Sequence, residues 1–308
     1  MEKSNQTFFT EFFLLGLSQN PNLQLLIFIV FLLMYSITLL GNLVMITLIV
    51  FDDNLHKPMY SFLTNLSFLD IGFTTVTIPK MLAICSTGDG SIPFSWCIFQ
   101  FYMCFSFIST EFNLLSVMAY DRYLAICHPL RYTLMMDERT VILLAAASWA
   151  LGFLEPMLHV AMIAELSFCA SREINHFFCD LNALLKLSCS DTSPINLLTY
   201  VDAVFLGLAP FIVTILSYVF IISTIMKIPS ATGRHKSFST CSSHLTAVVL
   251  FYGTELGVYM RPTSAFSLGK DKLFAILYTI IIPMLNPLIY SLRNSDVKGA
   301  LKKMIKKI

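Results

Sequence analysis

The residues able to do chemistry in this chain are carboxylic acids set inside long apolar runs. Asp70, Glu111, Glu155, Asp202 and Glu255 each interrupt a stretch dominated by Leu, Ile, Val, Phe and Met. An acid in such a setting is expensive and marks a functional site by default. At the helical rise of about 1.5 Å per residue, Asp70 lies about 20 Å from Lys57 and Glu111 about 16 Å from Arg122, so both reach the middle of a bilayer. Two carboxylates there cannot both stay ionised without a sodium ion or a shared proton to neutralise them. The bland alternative is a protonated, hydrogen-bonded pair that only stabilises packing. Asp202 and Glu255 are shallower, about 10 Å below the outer ends of their helices. Tyr252, Glu255 and Tyr259 share one helix face by their three- and four-residue spacing, and Cys104, Ile108 and Glu111 share another. Ile276 and Thr279 lie at matching depth, and His159 joins Glu155 as a polar group on a neighbouring helix. With Phe105 and Leu206 these outline a mostly apolar cavity with a few polar anchors, the usual look of a small-molecule site. If Glu255 faces that cavity, ligands with a basic nitrogen or a hydrogen-bond donor are favoured over hydrocarbons. The alternative tucks Glu255 or Asp202 against a neighbouring helix or lets it snorkel outward.

Composition says what must position these groups. Of 308 residues, 56% are apolar and only 13% charged, with a net charge of +1. A soluble globular chain carries about 25% charged residues, so an ordinary cytosolic enzyme and a disordered chain are excluded. So is a nucleic-acid binder, which needs a strongly basic surface. Seven apolar runs, over residues 23–51, 58–83, 92–126, 140–163, 195–226, 237–260 and 273–292, are each long enough to cross a membrane. The expected fold is an all-α membrane protein: an amino-terminal segment over 1–22, a seven-transmembrane-helix bundle over 23–292, and a tail over 293–308. In that tail Val297, Leu301, Met304, Ile305 and Ile308 recur at helical spacing between lysines, which predicts a short amphipathic eighth helix on the anionic inner leaflet. Lys57, Arg122, Arg131, Arg139, Lys227, Arg234, Lys236 and the tail lysines all fall on one side. The positive-inside rule therefore puts the amino terminus outside and those residues in the cytosol. Met1–Asn22 lacks the pattern of a cleaved signal peptide, and Asn5-Gln6-Thr7 is a glycosylation sequon placed outside. The matching triplet at Asn65 lies inside the second run, out of reach of that machinery.

Four of the eight cysteines, Cys85, Cys104, Cys127 and Cys241, fall within or at the ends of spans, where free thiols pack as small apolar groups. Cys97, Cys169, Cys179 and Cys189 lie on the outer side, where oxidising conditions favour pairing. Four cysteines allow three connectivities. Their spacing fits no compact zinc pattern.

Five stretches, each at the matching end of the matching helix, resemble the tetrapod-type odorant-receptor branch of rhodopsin-like G-protein-coupled receptors. They are Leu55-His56-Lys57-Pro58-Met59-Tyr60, Met118 through Cys127 with Asp121-Arg122-Tyr123, Ser217-Tyr218, Lys236 through Leu245, and Pro283 through Tyr290. Phe251-Tyr252-Gly253 stands where many rhodopsin-like receptors carry a tryptophan-centred switch, a departure typical of odorant receptors. The resemblance implies disulfides Cys97–Cys179 and Cys169–Cys189. It implies a cation-regulated site around Asp70, with Glu111, Asn42 and Asn286 close by, and no cofactor beyond a sodium ion there. It makes Asp121, Arg122, Tyr123, Tyr218, His244, Pro287 and Tyr290 a switch that opens the cytosolic side, with Tyr218 swinging in from the fifth helix. Physically, a paired Asp–Arg at a membrane boundary holds a multi-donor guanidinium that release frees for a partner's backbone. Pro283 and Pro287 each delete a helical hydrogen bond and loosen the seventh helix.

The expected function is odorant reception at the plasma membrane. A small volatile binds among helices three, five, six and seven and activates a stimulatory, olfactory-type heterotrimeric G protein that raises cyclic AMP. The bilayer and a trafficking chaperone complete the partners to test, and no nucleic acid is expected. Two rivals fit less well. A transporter usually shows repeated halves with broken helices. An intramembrane enzyme needs a base, a nucleophile and an oxyanion site together, and His244 lies far from the acids.

Overall fold

The computed structural model describes residues 10–169, 171–259 and 268–307. A short strand, β1 (Glu11–Leu14), leads into α1 (Pro21–Phe51), which opens on Asn20: its side chain accepts from the Asn22 N–H at 3.0 Å. Pro21 occupies the first helical position, where a missing N–H costs nothing. α2 (Pro58–Thr87) also begins on proline and ends at Gly88, whose φ of 74° forms a left-handed C-cap. β2 (Ser91–Pro93) precedes the long central helix α3 (Phe94–Cys127), and α4 (Tyr132–Met135) is a single turn in the next loop. α5 (Glu138–Leu154) is capped by Asp137, which accepts from the Thr140 N–H at 2.9 Å; that bond holds its carboxyl below the usual range. α6 (Pro156–Ala164), β3 (Glu173–Ile174) and α7 (Leu181–Leu185) lead to α8 (Ser193–Asp202) and α9 (Ala209–Met226), with a π-helical turn, Ala203–Leu208, between the last two. α10 (Ala231–Tyr259) forms the sixth crossing. α11 (Leu268–Ile276), a second π turn over Leu277–Ile281 and α12 (Ile282–Arg293) form the seventh, and α13 (Ser295–Lys307) closes the chain.

Six of these crossings are, among the described residues, long and apolar enough to span a membrane. The remaining one, α10, has 29 residues and so about 44 Å of length, but its first half is rich in serine, threonine and histidine. The sequence boundaries shift at several ends. The third run starts at Phe94 because Ser91–Pro93 is strand, the sixth at Ala231 rather than 237, and the seventh at Leu268 rather than 273, taking in Asp271 and Lys272. The fourth run, expected to be continuous, breaks at Glu155, because Pro156 has no N–H to continue the ladder. Next to the break, the Phe153 carbonyl accepts from the Tyr102 hydroxyl at 3.0 Å.

α3 runs through the middle of the bundle against α2, α5, α9 and α10. Its crossing with α5 is close enough to require glycine: a methyl group on Gly152 would sit 2.1 Å from Thr110 Oγ1 and 2.8 Å from Thr110 N. Small residues at such crossings let backbones approach and gain dispersion contacts, the main attraction between helices in lipid.

At the amino-terminal mouth the sequence predicts only loops, yet a three-stranded sheet of order β2-β1-β3 forms there. β1 pairs antiparallel with β2 (Phe12 opposite Ile92) and parallel with β3 (Leu14 opposite Ile174). Phe12 is fully buried, edge-on to Phe168 at 5.2 Å. Strands this short carry little local signal; they exist because the chain's start is held between two loops. Cys97 is bonded to Cys179 and Cys169 to Cys189. Beside the first bridge, Gln100 donates to the Val76 carbonyl and accepts from the Cys179 N–H, both at 2.9 Å. Lys272 donates to the Gly16 carbonyl at 2.7 Å, tying the seventh crossing to the same cap. His176 lies buried against Phe177 and Phe178, with Nδ1 accepting from the Phe178 N–H.

At the other mouth α13 lies across the bundle. Val297 and Ala300 are buried, Leu301 and Met304 pack on the core, and Lys298, Lys302, Lys303 and Lys306 are exposed. Lys57 pairs with Asp296 at 2.8 Å and Lys303 with Asp52 at 3.2 Å, which helps hold the Asp52 carboxyl below its usual range, behind the larger effect of Asn54.

Replacing Gly152 by alanine forces α3 and α5 apart, and the purified protein loses several degrees of thermal midpoint; an unchanged midpoint would contradict the close crossing. Burial pushes His176 down to about 4 from an ordinary 6.5, with Asp180 opposing the shift and Lys272 adding to it. Between those values the unfolded cap binds a proton that the folded one rejects. The cap is therefore stable above about pH 6.5 and loses up to about 3 kcal/mol as pH falls toward 4. Hydrogen exchange across residues 173–190 should rise on acidification in the native protein and respond less in His176→Phe.

A ligand-sized chamber and a polar cluster at opposite mouths

The prolines shape the interior. Pro210 withdraws the donor that would serve the Leu206 carbonyl, and the chain answers with the π turn Ala203–Leu208 just before it. That turn forms one wall of a chamber of about 310 Å³. α3 supplies Phe105, Ile108, Ser109 and Phe112; the break in the fourth crossing supplies Glu155; α8 and the π turn supply Thr199, Tyr200, Asp202, Leu206 and their neighbours; α9 supplies Phe211; and α10 supplies Tyr252 and Glu255. Phe112 and Phe211 pack on the Tyr252 ring at 5.1 and 4.9 Å, making an aromatic floor.

Seven of the residues expected around a ligand pocket, Phe105, Ile108, Glu155, Asp202, Leu206, Tyr252 and Glu255, line this chamber. Four others do not. Cys104 is buried in the helix core, and His159 stands behind the wall, 5.1 Å from the Phe105 ring, 3.5 Å from Asp202 and 3.2 Å from Thr199. Ile276 and Thr279 belong to the seventh crossing, none of whose described residues lines it; Thr279 donates to the Ala275 carbonyl. The expectation matched depth, but rotation about the helix axis decides which side chains face inward. Each extra residue in a π turn shifts that rotation by about 100°. The Tyr259 side chain and Asn5 lie outside the described residues. Phe112, Phe211, Tyr200 and the π-turn residues other than Leu206 were not anticipated; the Gly207-x-x-Pro210 spacing was the available signal for a distorted wall.

Glu155 accepts a short hydrogen bond from Ser109. Glu255 is only 3% exposed, and its Oε1 has no hydrogen-bond partner.

Deeper in the bundle Asp70, Glu111, Asn42 and Asn286 are all buried. Asn286 Nδ2 donates to both Asp70 oxygens at 3.2 and 3.1 Å. Asn42, expected beside Asp70, has another task. Its Nδ2 donates to the carbonyls of Thr38 at 3.0 Å and of Pro283 at 3.2 Å. The Pro283 carbonyl would normally receive the N–H of residue 287, which is proline and has none. Gly41 makes room for this contact: a methyl there would meet the Pro287 ring at 3.0 Å. Among the described residues no group of three or more His, Cys, Asp or Glu is arranged to hold a metal ion.

At the far mouth Asp121 is fully buried and binds Arg122 through Nε at 2.9 Å and Nη2 at 2.5 Å, while Tyr132 donates to its other oxygen at 2.8 Å. Burial, with the Asp121 charge, pushes the Tyr132 hydroxyl above its usual range. Tyr123 reaches His128 at 2.9 Å. His244 links three helices. Its Nε2 lies 3.1 Å from the Leu115 carbonyl, which can only accept, so Nε2 carries the proton and Nδ1 accepts from the Tyr218 hydroxyl at 2.8 Å. Beside Tyr218 a second cavity of about 480 Å³ separates α9 from α10, lined by Ile221, Ile225, Phe238 and Cys241 among others. The Tyr290 hydroxyl is buried without a partner.

Seven crossings, a small-molecule chamber near one mouth and an Asp-Arg-Tyr cluster at the other define a seven-helix membrane receptor. Comparison with known proteins is specific. The olfactory receptor family model matches residues 31–307. The chain is 48% identical to Olfactory receptor 5AP2 of Mus musculus over 305 residues, 99% of this chain and 96% of that protein. It is 47% identical to Olfactory receptor 1F1 of Homo sapiens over 308 residues, 100% and 99% of the two chains. With Olfactory receptor 1C1 of Homo sapiens it shares 48% over 307 residues, 100% and 98%. The chain belongs to the olfactory receptor family of G-protein-coupled receptors, and is a multi-pass membrane protein and not an enzyme.

Substituting Asn42 by leucine orphans the Pro283 carbonyl in a low-dielectric interior. The expected cost is about 1–3 kcal/mol, read as a lower thermal midpoint of the purified receptor, with Asn42→Asp intermediate.

Proposed function

We propose that this receptor binds a small volatile odorant in the 310 Å³ chamber and passes its occupancy to a stimulatory, olfactory-type G protein at the mouth holding Arg122, raising cyclic AMP. The observation that carries this reading is that α3, α9 and α10 each contribute to both ends: they line the chamber and also supply Arg122, Tyr218 and His244. A ligand shifts populations only by binding one arrangement better than another, and those three helices are where chamber shape and far-mouth hydrogen bonds are shared. Loss of the His244 bridge frees α10 to move away from α3 across the 480 Å³ gap. Tyr218, released from His244, can then meet the unpartnered hydroxyl of Tyr290. Arg122, released from Asp121, offers its donors to the partner's backbone.

The plasma membrane, with the amino terminus outside, fits two features. Both disulfides lie at the amino-terminal mouth, where an oxidising exterior maintains them, and the exposed lysines of α13 lie at the other, where anionic lipid attracts them. The oxygen-rich set of Asp70, Glu111 and Asn286 suits a hard monovalent cation or a shared proton equally, and Asn42 Oδ1, buried without a partner, offers one further acceptor in this layer. A trafficking chaperone is a partner to be tested during expression.

In cells carrying a cyclic-AMP reporter and the olfactory-type Gα, a chemically diverse odorant panel should yield concentration-dependent responses. Arg122→Ala should abolish them at equal surface level. Responses that persist undiminished in Arg122→Ala would sink the coupling scheme.

A further inference from the structure

We infer that the chamber selects small organic amines, bound as ammonium ions against Glu255; this rests on the reading that the chamber is the ligand site. Three carboxyl groups line it, from Glu155, Asp202 and Glu255, and among the described residues no lysine, arginine or histidine does. Two of the three have neighbours. Ser109 donates to Glu155, and Asp202, whose Oδ2 also lacks a hydrogen bond, is less completely buried than Glu255 and lies within 3.5 Å of His159 behind the wall. Glu255 has none at Oε1, although it is 3% exposed. A carboxyl group left unpartnered among apolar neighbours is costly, so the site is completed by a ligand that brings a donor, and best by one that brings a positive charge.

The rest of the chamber favours a cation over a neutral donor. Phe105, Phe112, Tyr200, Phe211 and Tyr252 line it, and aromatic faces attract ammonium groups. The volume of about 310 Å³ is at the small end for ligand sites, which excludes large or polycharged amines. A neutral ester or hydrocarbon of the same skeleton fills the same space but leaves Glu255 unpartnered. An alcohol satisfies one hydrogen bond but brings no positive charge to hold Glu255 as the carboxylate. The order expected is therefore amine, then alcohol, then ester or hydrocarbon.

The test uses the full-length receptor in the cyclic-AMP reporter cell, with surface level measured by an amino-terminal epitope. The probes are primary amines of about five to ten carbons and their matched alcohols, methyl ethers and acetate esters. The native receptor should respond to amines at concentrations at least about tenfold below the matched neutral compounds. Glu255→Gln should raise the half-maximal amine concentration at least about tenfold, as expected for loss of a charge-assisted bond, while shifting any response to neutral compounds less than about threefold. Should Glu255→Gln not reach the surface, Glu255→Asp is read instead: it keeps the charge on a shorter arm and should preserve the amine order at reduced potency. Neutral compounds matching or exceeding amines on the native receptor, or equal loss of both classes in the variant, overturns the amine assignment while leaving odorant reception intact. Silence toward the whole panel, with a control receptor responding in the same cells, overturns both.

Discussion

A single backbone carbonyl shows the constraint that governs this bundle. Pro287 cannot donate to the Pro283 oxygen, and inside a bilayer no water stands ready to replace it. Asn42, one helix away, supplies the missing donor, and Gly41 beside it lets the two backbones come close enough. The same constraint recurs along the chain. Before Pro210 and Pro283 the backbone answers with π turns, and at Pro156 the helix breaks. Each repair bends or rotates a helix, and each places a side chain where a regular helix would not.

The chamber follows from those repairs. Its walls are the π turn before Pro210 and the break before Pro156, closed by aromatic rings from α3, α9 and α10. The unanswered polar groups then stand out against a bundle that otherwise answers nearly every backbone demand. Glu255 at the chamber and Tyr290 near the far mouth are both buried with an atom unpartnered, and buried polar groups in that condition call for an explanation in function. Buried with them in the bundle are Glu111, Asp70 and Asn286, the last bonded to Asp70 and next to Pro287.

The two mouths are held differently. The amino-terminal mouth is stapled by two disulfides, a three-stranded sheet and the Lys272 to Gly16 bond, so it resists opening. The other mouth has no such staples among the described residues: α13 packs across it with the pairs Lys57–Asp296 and Lys303–Asp52, and the elements around Arg122 are joined by the hydrogen bonds of Tyr132 to Asp121, Tyr218 to His244 and His244 to the Leu115 carbonyl. Bonds of that kind, each contributing about 1 kcal/mol net in typical cases, exchange readily for others. Occupancy of the chamber reported by movement at the opposite mouth, as proposed, needs that asymmetry.

Much of this was legible without coordinates. Low charge and seven apolar runs determined a seven-crossing bundle, because a helix is the structure that satisfies its own backbone in lipid and about twenty apolar residues suffice to cross. Acid depth, the Asp121-Arg122-Tyr123 boundary cluster and the candidate cysteines were equally readable, since depth is only residue count multiplied by rise. Tertiary structure alone decided rotation and partnership. It turned Ile276 and Thr279 away from the chamber and Phe112 and Phe211 into it, gave Asn42 to the Pro283 carbonyl instead of Asp70, and folded Glu11–Leu14 into a sheet. Those outcomes depend on π turns, proline breaks and loops that meet only after the helices have packed, and a linear periodicity does not record the phase such irregularities add.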